Sequence, residues 1–245
     1  MTLSKIGLPF AAALLIAPLS AAAQQSISPT IDGLLSVSYG QTDFDGPDLD
    51  REAFILKSTI SLNNSFSIGV DADHFRSSFD EFGEDLDLSL NRFQIEPTYH
   101  FGNNFYVGGF IQRASVSFFD FDASGLFAGF EGGKWSAEAY AGRSDMTLGL
   151  FFDTERTVDS SLHGVSVSYS ASENLEISAH VSQTNLPDIF GGGQHDLKSV
   201  AAFYKIGNGF SIHGALEKFE SGMMVGRTKT RAIGVGYNFA EAGIS

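Results

Sequence analysis

Hydrophobicity in this chain alternates with a period of two residues, and that property excludes most folds. In residues 228–239, Ile233, Val235, Tyr237 and Phe239 fall on one side, and Ala232, Gly234, Gly236 and Asn238 on the other. A period of two is the signature of a strand. Large apolar groups on one face and small or polar groups on the other suit a wall between lipid and water. Beyond the N-terminus no apolar run reaches the ~18 residues that a helix needs to cross a bilayer. A closed barrel is the one other structure that spans a membrane with its backbone satisfied.

The same alternation predicts twelve strands: 30–39, 52–62, 66–75, 86–101, 105–116, 125–131, 135–143, 157–170, 175–184, 196–206, 210–219 and 228–239. In the second, Phe54, Leu56, Ile60 and Leu62 oppose Lys57, Thr59 and Ser61. In the fourth, Leu86, Leu88 and Leu90 have the opposite parity to Phe93, Ile95, Tyr99 and Phe101. That slip predicts a bulge near Asn91-Arg92. Pro97, which cannot donate to a ladder, argues against this strand.

Short turns near residues 63, 102, 132, 172 and 207 alternate with longer connections. This asymmetry is that of barrels with short periplasmic turns and longer extracellular loops. The hairpins repeat loosely: Phe101-Gly-Asn-Asn-Phe-Tyr-Val-Gly-Gly, Ile206-Gly-Asn-Gly-Phe-Ser-Ile-His-Gly and Leu62-Asn-Asn-Ser-Phe-Ser-Ile-Gly. Their aromatics, with the ends of neighbouring strands, predict a membrane-interface girdle of Phe66, Phe101, Phe105, Trp135, Phe210, Tyr237 and Phe239.

The final strand, Gly-Val-Gly-Tyr-Asn-Phe239, resembles the C-terminal signature of Gram-negative outer-membrane porins. It departs from that family in the tail 240–245. The resemblance implies an all-β fold, a transmembrane antiparallel up-and-down β-barrel of about twelve strands. It also implies recognition by the barrel-assembly machinery, contact with outer-membrane lipid and lipopolysaccharide, and a possible homo-oligomer. The short connection expected at 117–124 departs from the long pore-narrowing loop of general porins. An aromatic run there, 118–121, would fold inward or touch a neighbouring subunit.

Residues 1–23 read as a secretory signal peptide: Lys5, an apolar stretch interrupted by Pro9 and Pro18, then Ala21-Ala22-Ala23. Residues 24–245 then form one barrel domain, exported to the cell outer membrane. Without Lys5 the formal charge of −14 becomes −15, and such an acidic chain is a poor partner for nucleic acid. There is no cysteine, so an exported fold must be held by sheet closure rather than disulfides.

The inward parity gives Asp32, Lys57, Asp71, Asp73, Arg92, Glu96, His100, Glu138, Glu176, His180, His213 and Glu217. This face reads as small and charged, too poor in bulk to pack a twelve-strand interior and without a row of aromatics. Twelve strands spaced by ~4.8 Å and tilted by ~40° close at a diameter of roughly 24 Å, leaving a lumen about 10 Å across. The expectation is a porin: a narrow water-filled channel for small hydrophilic solutes and ions, mildly cation-selective because acids outnumber bases. No cofactor or metal is expected. Two acidic loop runs, Asp43 to Asp50 and Asp80 to Asp87, lack calcium-loop spacing. Arg227, Lys229 and Arg231 fall on the outward parity, where lipid phosphates would meet them.

The rival readings are a barrel enzyme of lipase or protease type and a non-conducting structural or adhesive barrel. His163 and Ser166 have opposite parity, as do His74 and the pair Asp71 and Asp73. Neither Gly-x-Ser-x-Gly nor His-Glu-x-x-His occurs, so no catalytic residue is expected.

Overall fold

The computed structural model describes residues 30–43, 49–81, 84–102, 104–116, 119–148, 156–186, 193–221 and 227–239. The expected signal peptide, the tail 240–245, Asp45, Asp48, Phe118 and the side chains of Asp80 to Asp87 and of Arg227 lie outside the described residues.

The strands are β1 (Thr30–Asp43), β2 (Leu49–Asn63), β3 (Phe66–Glu81), β4 (Glu84–Phe101), β5 (Phe105–Val116) and β6 (Phe119–Gly132). They continue as β7 (Trp135–Leu148), β8 (Arg156–Ser170), β9 (Leu175–Leu186), β10 (Gly193–Gly207), β11 (Phe210–Ser221) and β12 (Arg227–Asn238). Each pairs antiparallel with its neighbours in sequence, and β1 pairs with β12, so the sheet is a closed barrel. The seam runs in register through Leu35↔Tyr237, Val37↔Val235 and Tyr39↔Ile233. Closure removes both edges, so the ladder has no open rim for another chain.

The alternation now has a direction. Ile111, Leu126 and Ile233 are 70%, 73% and 64% exposed on the outer face. In water each exposed side chain of this size forgoes about 1.5–3 kcal/mol of burial. A whole barrel so faced belongs in lipid, and the fold is a transmembrane barrel.

Tight turns close one end. Asn104 (φ 65°) and Asn208 (φ 53°) take left-handed conformations that Asn tolerates, and Gly133 (φ 61°) supplies another. Asn63 accepts from the Ser65 amide at 2.8 Å, fixing the first turn. The register irregularities sit beside these turns, at Ser61/Asn63 and Lys205/Gly207.

No bulge occurs at Asn91-Arg92. The β3–β4 register runs unbroken through Asp73↔Arg92, His74↔Asn91 and Phe75↔Leu90. Leu90 keeps its phase and points inward instead. Pro97 is also accommodated: it sits opposite Ile68 of β3, while the β4–β5 pairing skips from Ile95↔Ile111 to Thr98↔Gly108.

At the long-loop end the strands run further than expected. β3 continues to Glu81 and β4 starts at Glu84, leaving only 82–83 between them; β6 starts at Phe119, leaving only 117–118 before it. Phe121 is therefore a strand residue, not part of an aromatic loop.

Candidate functional site

All twelve expected interior residues point into the barrel. Lys57, Asp71, Asp73, Arg92 and His180 are buried there; Asp32, Glu96, His100, Glu138, Glu176, His213 and Glu217 are half-buried. Adjacent strands bring several together. Lys57 Nζ lies 3.7 Å from Asp71 Oδ2, a directly paired residue of β3. Arg92 donates to Asp73 Oδ2 through Nε at 2.6 Å and also through Nη2. Gln94 donates to Glu96, and Ser67 Oγ meets His100 Nε2 at 3.0 Å.

Two partners were not foreseen. Arg51 Nη1 reaches Glu217 Oε2 at 3.1 Å, joining β2 to β11 past β1 and β12. The inward residues beneath it, Gly40 and Ala232, are small and leave it room. Its guanidinium also lies 4.6 Å from the Phe75 ring centroid. Tyr106 donates to Glu138 at 3.0 Å.

The interior is not poor in bulk, contrary to expectation. Tyr106, Phe110, Phe121, Phe127 and Tyr140 all face inward from β5, β6 and β7 and belong to one buried cluster. Four of these rings, those of Tyr106, Phe110, Phe127 and Tyr140, sit against glycines of neighbouring strands. A Cβ on Gly164 would come within 2.6 Å of the Tyr140 ring, and one on Gly125 within 2.6 Å of Phe110. Glycine on one strand makes the space for an aromatic on the next. β5 and β6 carry large groups on both faces, so simple alternation hid this. The glycines at the inward positions 108, 125, 129, 142 and 164 were the available signal.

Towards the long-loop end buried apolar groups stand among buried serines, threonines and His195. Leu90 (2%), Ala114 (1%), Leu197 (2%) and Phe219 (3%) are almost wholly shielded, and Phe75 and Phe121 are buried with them. These residues come from β3, β4, β5, β6, β10 and β11, so they line much of the circumference. A water-filled lumen about 10 Å wide would leave them wet. At this level Leu90 and the aromatics supply inward volume that alternation assigned elsewhere.

The short-turn end is open. A vestibule of about 400 Å³ there is lined by Glu131, Ser136, Ser168, Glu176, Phe203 and Lys205, among others. Around its outside stand the seven expected girdle aromatics. Phe101, Phe105, Trp135 and Phe210 are exposed; Phe66, Tyr237 and Phe239 are partly covered by neighbours. Phe210 and Tyr237 pack 5.0 Å apart, and Trp135 packs 4.5 Å from Tyr169. The Phe239 ring lies over Gly33 across the seam, and its amide donates to the Gly33 carbonyl at 3.0 Å.

A serine–histidine contact exists, but not between the residues first compared. His163 faces outward and bonds Gln183 at 2.7 Å, while Ser166 faces inward against His180 Nδ1 at 2.8 Å. Among the described residues His180 Nε2 has no hydrogen-bond partner; the imidazole stacks on the Tyr140 ring rather than bonding the third group of a triad.

A closed, lipid-faced barrel with a charged interior and aromatic-flanked turns defines a membrane-spanning β-barrel of outer-membrane type. Comparison with solved structures places the fold among such proteins. An outer membrane channel from Pseudomonas putida F1 is similar with a TM-score of 0.70 at 10% identity, over 90% of this chain and 100% of that one. The NanC porin gives 0.64 at 6% identity, over 83% and 98%. The translocator domain of autotransporter NalP from Neisseria meningitidis gives 0.61 at 10% identity, over 94% of both chains. No family model and no curated protein sequence matches the chain.

Proposed function

We propose that the protein is an outer-membrane diffusion channel for small hydrophilic solutes, with a preference for cations. The observation that carries this reading is the surplus of acid inside the barrel. Arg51, Lys57 and Arg92 pair with Glu217, Asp71 and Asp73. Asp32, Glu96, Glu138 and Glu176 face the same interior in addition, so acids outnumber bases there. Fixed negative charge on a narrow wall favours cations and repels anions. The similarity in fold to a channel and a porin supports the reading. On the outer face Lys229 and Arg231 project at the long-loop end, where lipopolysaccharide phosphates would meet them.

The buried apolar layer around Leu90 favours a second reading, a barrel that does not conduct at rest. Single-channel recording of the folded protein in a planar bilayer, with reversal potential across a salt gradient, separates the two. Small, long-lived openings with a cation-selective potential are expected. Silence from protein shown to be folded selects the non-conducting barrel, and an anion-selective potential overturns the role given to the acids.

A further inference from the structure

A small cavity of about 30 Å³ lies inside the barrel between β4 and β9. That is room for one or two water-sized groups. Its walls include the side chains of Phe110, Phe127, Tyr140, Glu96 and Glu138. Both acids keep a hydrogen-bond donor, Gln94 and Tyr106, and the charge of Lys57 acts on both. Thr184, 3% exposed, lines the same cavity, and its hydroxyl has no partner among the described residues.

We infer that this cavity binds a compact organic cation, a primary or methylated ammonium ion. A carboxylate withdrawn from water holds its charge only when a cation or hydrogen bonds compensate it, so a positive guest and the ionised acids would stabilise each other. An aromatic ring whose face meets the guest attracts a cation through its quadrupole and accepts its methyl groups. Calcium is a poorer guest, since it seeks six to eight oxygens and the rings supply none. The hydroxyl of Thr184 offers an acceptor for an N–H. The vestibule at the short-turn end is lined by Glu131, Glu173 and Glu176 and by Lys134 and Lys205, a modest surplus of acid.

This inference deepens the channel reading by naming a solute class, and the experiment keeps the two apart. Methylammonium is the probe, with acetate as its anionic counterpart of similar size. Saturation-transfer NMR on the barrel folded in alkyl-glucoside micelles reads binding directly, and bilayer conductance is recorded on the same preparation. The methylammonium methyl signal is expected to appear and the acetate signal to be absent. Glu96→Gln/Glu138→Gln is expected to weaken binding at least tenfold, while Asp122→Asn/Asp145→Asn, which removes two acids from the outer face, leaves it unchanged. If the inner double variant does not fold, Glu138→Gln alone decides, with several-fold weakening expected. No methylammonium signal, or equal loss in the inner and outer variants, overturns the inference. Conductance without binding overturns it and leaves the channel standing. Binding without conductance upholds the site and removes the channel.

Discussion

Replacing Arg92 by Gln measures whether the middle of the barrel is wet. Arg92 and Asp73 are 3% and 4% exposed, and Asp73 Oδ1 has no hydrogen-bond partner among the described residues. Two cases give different magnitudes. In a water-filled lumen the pair would behave like a surface ion pair, worth about 0–1 kcal/mol. Buried as it is here, loss of the guanidinium strands the Asp73 carboxylate among groups that cannot solvate it, at a cost of about 3–5 kcal/mol. Arg92→Gln keeps much of the side-chain length and removes the charge, so desolvation dominates the loss. Adding Asp73→Asn removes the stranded charge, and the double variant is expected to recover about half of the stability or more. The assay is reversible urea unfolding from lipid bilayers, followed by circular dichroism, for the protein, both single variants and the double. A single-variant loss below about 1 kcal/mol, with additivity within ~0.5 kcal/mol, would refute the buried interior. It would restore the open lumen that strand counting suggests.

Two further outcomes follow from the same geometry. Leu90→Ala is expected to cost about 2–5 kcal/mol in that unfolding assay by opening space beside Phe75, and to raise single-channel conductance because the apolar layer is the tightest part of the path; unchanged conductance in a conducting barrel would place the constriction elsewhere. Leu126, 73% exposed in the middle of β6, tests the lipid face: Leu126→Arg is expected to cost about 2–4 kcal/mol in bilayers, well beyond Leu126→Ala, and parity between the two would show that this face does not meet lipid.

Much of the wall was legible because lipid imposes one rule on every outward position. Phe54, Val165, Ile177 and Val235 announce the outer face by size alone, and Lys57, Asp71, Asp73 and Arg92 announce the inner face by charge. Strand ends at the long-loop side were not legible. β1 beyond Tyr39 and β7 beyond Arg143 run on through Gln41, Thr42, Asp145 and Thr147. Past the bilayer the outer face no longer needs apolar groups, so the alternation fades while the ladder continues. Leu90 misled for a related reason. An inward leucine looks like an outward one out of phase, and only the unbroken register from Asp73↔Arg92 to Phe75↔Leu90 tells them apart.

By itself the sequence determined that the chain is built of strands, which residues share the apolar face, and which charged residues share the other. Those properties are local, repeated at every second residue, and reinforced by each hairpin. The tertiary structure alone decided what the interior holds. Arg51 meets Glu217 across a sequence separation of 166 residues, and Ser166 meets His180 rather than His163. The rings of Phe110 and Tyr140 fit where glycines on adjacent strands leave room, and they meet edge to face. Such contacts depend on strand register and on curvature around the closed sheet. A period of two fixes the side of the wall on which a residue stands, but not its neighbours across the lumen.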